Sequence, residues 1–222
     1  MRGNGALAIW FRVDAADVAD LDEWYPRQHL PERLSVAGFL RGRRYAAATA
    51  RLPYFTLYET VDAGVLSSAA YLQRLNAPTE WTRRVLPTFR EMVRNACRRL
   101  AVTGDDRPQP HLLTVRIKPD SGRGPHVRAW LEREAAATLG GLPAVTGGAA
   151  YVSDTGGTSV PTVERDLVGG PVVTAAPFVA LLEVAEPRAE PALREFWDAW
   201  ARQHAAEVTV DLYRLMYGLA WL

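Results

Sequence analysis

The chain has 222 residues, of which 48% are hydrophobic and 23% are charged, and both values are ordinary for a globular protein. Its 26 basic side chains nearly balance its 25 acidic ones, and the net charge of +1 favours neither a nucleic-acid partner nor a membrane surface. The single cysteine, Cys97, excludes an intramolecular disulfide framework and a cysteine metal cluster, and its apolar surroundings predict a buried position in a strand.

Strand and helix patterns follow one another in the order β-α-β-β-α-β, and this order occurs twice. In the first half, alternation with period two predicts four strands, at about 6–13, 38–48, 53–60 and 96–103. Helical spacing predicts helices at about 16–35 and 64–95, the second broken near Pro78 and Pro87. In the second half the strands are at about 111–118, 144–153, 177–185 and 208–220, and the helices at about 125–140 and 189–206.

The two halves also resemble each other residue by residue. A shift of 106 positions, increased by an insertion of 18 residues late in the second half, aligns the halves. Three large or charged residues recur under this alignment: Trp24 as Trp130, Tyr45 as Tyr151 and Glu59 as Glu183. We expect such recurring residues to form the scaffold.

The duplicated order is the split βαβ, or ferredoxin-like, motif. We therefore predict an α+β fold made of two fused ferredoxin-like βαββαβ repeats, at residues 1–104 and 110–222. A four-stranded sheet with helices on one face leaves its other face open, and two fused repeats can cover each other as an intramolecular α/β-barrel.

The insertion falls within the segment 155–176, which is rich in Gly, Thr and Val without a sustained period. We interpret it as a long loop, and long loops in compact proteins are often functional. Because it joins two neighbouring strands, we expect it to protrude from a sheet end, at a barrel mouth or over a subunit contact.

Alternating positions of the first strand of each repeat differ in polarity. The more apolar set, represented by Leu7 and Leu113, should lie under the helices, whereas Trp10 and Arg116 should face the interior between the sheets. Buried cations are costly unless paired, so that interior is either open to water or provides acidic partners or an anionic ligand. Residues near the strand ends, such as Lys118, can instead lie in solvent.

One candidate site follows from residues that occur in repeat one only. Tyr25, His29 and Arg33 have the spacing i, i+4, i+8 and share one stripe of a helix. Under the repeat alignment His29, Arg33 and Tyr58 correspond to Ala135, Leu139 and Leu182. A histidine that titrates near neutral pH can carry protons, which favours an asymmetric active site; the alternative is a structural histidine at a helix kink.

Metal and nucleotide sites have no support in the sequence. No HExxH motif, other paired-histidine motif or carboxylate–histidine cluster is present, and the glycine-rich stretches lack the lysine and the strand-to-helix context of a phosphate loop. We therefore predict neither a metal nor a cofactor.

The motif residues of repeat one resemble a known group. They are Trp24-Tyr25, His29, Pro31-Glu32-Arg33, Gly38-Phe39, Arg43-Arg44-Tyr45, Tyr54 and Leu57-Tyr58-Glu59. This pattern resembles the EthD-like branch of the dimeric α/β-barrel superfamily and covers most of repeat one, whereas repeat two is similar only in topology. The resemblance implies a barrel formed within one chain, but the group includes monooxygenases, cyclases, isomerases and haem enzymes, so it implies no single reaction.

Two hypotheses about function follow. In the first, the protein is a small-molecule enzyme that needs no cofactor and acts by general acid–base catalysis on an aromatic or polyketide-like enolisable substrate. The predicted catalytic residues are His29, Tyr58 and Arg33, and the predicted substrate-binding residues are Trp10, Tyr25, Arg43, Tyr54 and Arg116. In the second, it is a non-catalytic binding or assembly module; a haem-dependent enzyme, with His29 or His204 as axial ligand, is a further alternative.

The same observations lead to expectations about the partners and the cellular location of the protein. A small-molecule substrate is the expected partner, without nucleic acid or membrane, and a homodimer is possible. The N-terminus lacks the apolar core of a secretory signal, and no run approaches the roughly 18 apolar residues that span a bilayer. We expect a cytoplasmic protein.

Overall fold

The structure is a computed structural model that describes residues 1–154, 160–169 and 176–220. Its elements have the duplicated order predicted from the sequence. The strands of the first repeat are β1 (Gly5–Arg12), β2 (Phe39–Ala46), β3 (Tyr54–Thr60) and β4 (Arg90–Gly104). Those of the second repeat are β5 (His111–Pro119), β6 (Val145–Ser153), β7 (Phe178–Val184) and β8 (Ala206–Ala220).

Helices connect these strands. In the first repeat they are α1 (Val18–Trp24), a π-helical turn (Tyr25–His29), α2 (Leu30–Leu34), α3 (Ala69–Asn76) and α4 (Glu80–Val85). In the second repeat they are α5 (Gly124–Arg133), α6 (Ala135–Gly140), α7 (Val163–Leu167) and α8 (Glu190–His204). Short 3-10 turns occupy Ala15–Asp17, Ala63–Ser67, Leu86–Thr88 and Pro187–Ala189. Within the described ranges, no helix combines the length and the apolar character that a bilayer span requires.

The second helical region of repeat one is shorter than predicted. Its breaks at Pro78 and Pro87 are confirmed, because α3 ends and α4 begins on either side of the first proline. Ser68 and Thr79 cap the two helices by accepting backbone N–H groups three residues later. The predicted continuation of the helix to residue 95 is wrong, since the chain is extended from Arg90 onward.

The two repeats share the pairing register of their strands as well as the order of their elements. β3 is antiparallel to β1 and β2, as β7 is to β5 and β6. Equivalent residues face each other in the two repeats: Leu7 with Tyr58, and Leu113 with Leu182. A register shift occurs at Phe39/Arg41 in β2 and at the equivalent Val145/Gly147 in β6. The internal repeat is therefore confirmed at the level of individual residue pairs.

The described chain divides into two compact units. The first, here called the repeat-one unit, comprises residues 2–97, 154, 160–169 and 216–220. The second comprises Met1 with residues 98–153 and 176–215. Thus the described part of the insertion, including α7, belongs to the unit built on repeat one.

An apolar core lies under the helices of each unit. In the repeat-one unit Leu7 and Phe11 of β1 are buried with Trp24 of α1. In the other unit Val115 of β5 is buried with Leu131 of α5. Burial of each such side chain contributes about 1.5–3 kcal/mol relative to its exposure to water, so these faces supply much of the stability. The predicted apolar face of each first strand is confirmed.

The recurring glutamates have one structural role in both repeats. Glu59 of β3 accepts the backbone N–H of Arg2 at 2.6 Å, and Glu183 of β7 accepts that of Gln109 at 2.9 Å. Each bond holds the chain just before it enters the first strand of its repeat. This agrees with the expectation that recurring residues form the scaffold.

Candidate functional site

A cavity of about 60 Å³ lies on the helix side of the sheet in the repeat-one unit. This is room for roughly four water molecules. Its walls combine apolar side chains of β1 and β4 with polar side chains of several elements. The polar lining includes Tyr25, His29, Arg33, Tyr58, Arg94 and Glu164.

The π-helical turn places two of these residues. The backbone N–H of Leu30 donates to the carbonyl of Tyr25, five residues earlier, so the turn is wider than an α-helical one. Pro26 lies in this turn and has no N–H to donate to an earlier carbonyl. Tyr25 and His29, at the two ends of the turn, are both buried and both line the cavity.

The imidazole of His29 is enclosed by aromatic rings. It stacks on Trp24 at a centroid distance of 3.9 Å, and the rings of Tyr25 and Tyr58 lie at 5.3 and 6.2 Å. Its Nδ1 atom has no hydrogen-bond partner among the described residues. Burial, and then the charge of Arg33, lower the pKa of His29 well below its ordinary value, so the ring is neutral at neutral pH. His29 is only 6% exposed.

Tyr58 also lines this cavity. Its neighbour across the β2–β3 pair is Gly42, where an added Cβ would lie 2.5 Å from Leu30 and 3.2 Å from the Tyr58 ring. The glycine therefore makes room for the tyrosine between strand and helix. The hydroxyl has no partner among the described residues, and burial raises the pKa of Tyr58 well above its ordinary value. Tyr58 is thus a protonated donor.

Arg33 of α2 forms a buried ion pair with Glu164 of α7. The two side chains are 3% and 6% exposed. Burial raises the pKa of Glu164 above its ordinary value in spite of the neighbouring Arg33. The pair closes one side of the cavity with a residue that the second repeat supplies.

The insertion reaches this position by packing on helices. α7 contacts α3 and α4, and the backbone N–H of Val163 donates to the side chain of Asn76 at 3.1 Å. The expectation that this segment projects from a sheet end is therefore wrong for residues 160–169; residues 155–159 and 170–175 lie outside the described residues. Because the cavity itself is on the helix side, this position still makes α7 part of the site.

Arg94 is a cavity residue that the sequence analysis missed. It lies in β4, is 8% exposed, and neither of its terminal guanidinium nitrogens has a hydrogen-bond partner among the described residues. The segment containing it was predicted to be helical, so its face could not be assigned. Placing the start of the strand at Arg90 would have shown which face of the sheet carries Arg94.

The structure brings together only part of the predicted site. Four of the named residues line the cavity: His29, Tyr58, Arg33 and Tyr25. Four others lie elsewhere: Trp10, Arg43, Tyr54 and Arg116.

Two of these four lie on the opposite face of the repeat-one sheet. Trp10 is fully buried against Phe55, with ring centroids 4.8 Å apart. Arg43 lies 3.3 Å from Glu59, which also binds Arg41. Because side chains alternate along a strand, neither can reach the helix side.

The other two are also accounted for by local contacts. Tyr54, the first residue of β3, stacks on Phe11 at 5.6 Å and lies under the guanidinium of Arg44. Arg116 belongs to the second unit and pairs with Asp211 at 3.5 Å. Neither residue lines the repeat-one cavity, and their contact with substrate stays a prediction.

The second repeat provides an internal control for the cavity. The residues aligned with His29, Arg33 and Tyr58 are Ala135, Leu139 and Leu182, and all three belong to the buried apolar core of the second unit. The same position in the fold is thus filled by hydrocarbon in one repeat and lined by polar groups in the other. The polar residues are not needed to form the fold.

The haem alternative does not fit the described residues. A space for roughly four water molecules beside His29 is far too small for a porphyrin. The Nδ1 atom of His204 lies 3.1 Å from Nε2 of His126, and its ring is stacked on Trp200. Within the described part of the chain, no cluster of three or more His, Cys, Asp or Glu side chains could hold a metal ion.

Comparison with known proteins identifies the fold. No protein family and no curated protein matches the sequence. Solved structures do match: an anthrone oxidase-like protein has a TM-score of 0.65 at 11% identity, over 97% of this chain and 92% of that one. A monooxygenase candidate from Fusobacterium nucleatum subsp. nucleatum has a TM-score of 0.61 at 8% identity, over 99% and 96%.

A chlorite dismutase candidate has a TM-score of 0.57 at 14% identity, over 97% of this chain and 96% of that one. Similarity at such low identity shows the fold alone. The chain has the α+β, ferredoxin-like fold of the dimeric α/β-barrel proteins, which confirms the predicted fold class. The EthD-like branch stays a prediction.

Proposed function

We propose that the protein is a small-molecule enzyme that carries out general acid–base chemistry in the repeat-one cavity, without a cofactor, on an enolisable substrate of aromatic or polyketide type. The observation that carries this proposal is the convergence of a neutral histidine and a protonated tyrosine on one small cavity. The repeat alignment supports it, because the equivalent residues of repeat two are apolar.

The reaction step follows from the protonation states. His29 accepts a proton from an activated C–H group of the substrate, and the electron pair of that bond moves onto the substrate carbonyl. Tyr58 donates a hydrogen bond to the resulting enolate oxygen, where a donor in a water-poor site is worth more than in water. Isomerisation, cyclisation and oxygenation can all begin with this step.

Positive charge near the cavity assists the same step. Arg33, although paired with Glu164, lies close enough to lower the pKa of His29. The same charge stabilises a developing enolate. A substrate larger than the present cavity requires displacement of the α7 segment that covers it, as closing segments of many enzymes do.

The test is hydrogen–deuterium exchange in D₂O, followed by NMR, with enolisable compounds of increasing size from acetylacetone to anthrone. This experiment needs no oxidant and reports the first step alone. We expect the protein to exchange at least one compound faster than buffer alone does. In His29→Gln this protein-dependent rate should fall by roughly 10²–10⁴. His111→Gln, which changes a histidine outside the cavity, serves as the control and should exchange as the wild type does.

Equal exchange rates in the wild type and in folded His29→Gln across the panel would overturn the proposal. Binding of a panel compound without any exchange would favour a non-catalytic binding module instead.

A further inference from the structure

The charges that line the repeat-one cavity do not balance. Three arginines line it, Arg33, Arg94 and Arg165, together with one carboxylate, Glu164. That carboxylate is paired with Arg33. His29 adds no charge at neutral pH, because its pKa is lowered. The cavity therefore has an excess of positive charge.

Arg94 is the part of this excess that the described protein leaves uncompensated. Both terminal nitrogens are buried and have no hydrogen-bond partner among the described residues. Arg165 donates to the carbonyl of Val160, and burial and then the charge of Arg94 lower its pKa. An isolated buried cation costs several kcal/mol, so an anion beside Arg94 would recover a large free energy.

The fold does not require an arginine at this position. Counted from the first residue of β4 and of β8, Arg94 corresponds to Val210, which is buried in the apolar core of the second unit. Repeat two thus builds the same strand with a hydrocarbon side chain. Arg94 is better explained by a ligand than by the requirements of folding.

The neighbours of Arg94 define what kind of anion fits. Leu7, Ile9, Phe89 and Met92 line the cavity and are apolar. The cavity of about 60 Å³ accepts a group the size of a carboxylate. A guanidinium binds a carboxylate through two parallel hydrogen bonds, which a planar acid group matches.

We infer that Arg94 is the anchor for a carboxylate of the substrate, which is a small organic acid with an apolar or aromatic body. The acid group lies in the cavity beside His29, and the apolar body contacts the hydrocarbon walls. This inference rests on the proposed function only in calling the bound acid a substrate; the binding itself requires no catalysis.

The test is titration calorimetry with matched pairs of probes: acetate against acetamide, and benzoate against benzamide. The two members of each pair have nearly the same shape, but only the acid is charged. We expect the acids to bind at least tenfold more tightly than the amides and to raise the melting temperature. Arg94→Met should weaken acid binding at least tenfold, whereas Arg98→Met, which changes an exposed arginine of the same strand, should not.

A second readout tests whether the variant folds. Because Arg94→Met removes an unpaired buried charge, the ligand-free variant should melt at or above the wild-type temperature. Arg94→Lys keeps the charge but not the paired donors, and should bind acids with intermediate affinity.

The inference is overturned if acids and amides bind equally, if Arg94→Met binds acids as the wild type does, or if inorganic phosphate binds more tightly than either acid. Acid binding that depends on Arg94, without any proton exchange, would remove the proposed function alone. Proton exchange that depends on His29, together with equal binding of acids and amides, would remove this inference alone.

Discussion

Glu164 pairs with Arg33 although the two residues are 131 positions apart in the chain. Both side chains are nearly inaccessible to water. Water cannot solvate either charge if its partner is lost, so each charge is stabilised only by the other. The pair also joins the insertion of repeat two to the helix that carries the proposed catalytic histidine.

Removing one member of this pair should destabilise the protein strongly. Glu164→Ala leaves Arg33 buried and unpaired, and we expect it to lower the free energy of unfolding by about 3 kcal/mol. The double variant Glu164→Ala/Arg33→Leu should recover part of this loss, because repeat two has leucine at the position equivalent to Arg33. Urea denaturation measures both.

The control for this pair is a partly exposed one. Glu190→Ala removes the partner of Arg194 on α8, an i,i+4 pair that should contribute no more than about 0.5 kcal/mol. Equal losses in Glu164→Ala and Glu190→Ala would contradict the role assigned to the buried pair.

Tyr58→Phe should separate function from stability. The hydroxyl is buried without a partner among the described residues, so its removal should leave the melting temperature unchanged or slightly higher. If Tyr58 donates to the enolate, the exchange rate should fall about 10²–10³-fold. Tyr54→Phe, at the start of β3 and outside the cavity, should change neither quantity. A lower melting temperature with unchanged exchange would indicate a purely structural tyrosine.

Stability should decrease as the pH falls below about 6.5. Burial lowers the pKa of both His29 and His204, so the unfolded chain takes up protons that the folded chain does not. The stabilisation is complete above the unfolded pKa and is lost on acidification, by at most about 1.4 kcal/mol per pH unit for each histidine. Urea denaturation at pH 7.5, 6.5 and 5.5 measures it.

His29→Gln and His204→Gln should each reduce the slope of stability against pH, and the double variant should reduce it further. An unchanged slope in the double variant would assign the acid sensitivity to other groups.

A left-handed turn residue provides a stability test that is independent of the site. Gly38 has φ +94°, and the residue aligned with it, Ala144, has φ +61°. Alanine is strained in this region, so Ala144→Gly should raise the free energy of unfolding by about 1 kcal/mol. Gly38→Ala should lower it by more, because its Cβ would also lie 2.6 Å from Val65. Thermal unfolding of the two variants should show opposite shifts; shifts in the same direction would contradict the equivalence of the turns.

The fold could be predicted because the same pattern of strands and helices occurs twice in the chain. Trp24 and Trp130, or Glu59 and Glu183, are informative as pairs, since a duplicated pattern averages out local ambiguity. The stripe of Tyr25, His29 and Arg33 could be predicted for a similar reason, because helical spacing alone places these residues on one face.

The rest of the site depends on contacts that no local pattern encodes. Glu164 comes from an aperiodic insertion, and its pairing with Arg33 is purely tertiary. Arg94 was hidden because β4 starts earlier than its alternation indicates. Arg43 was included in the site although it does not line the cavity, because the strand pattern gives two faces but not which face carries a cavity.

The position of α7 has a consequence for dividing the chain into separate repeats. A cut between Gly104 and His111 would separate the repeats as the duplication defines them. The first fragment would keep His29, Tyr58 and Arg94 but would lose Glu164, which covers them. The complete site is therefore a property of the whole chain: repeat one supplies the polar groups, repeat two supplies the residue that pairs with Arg33, and neither repeat alone contains both.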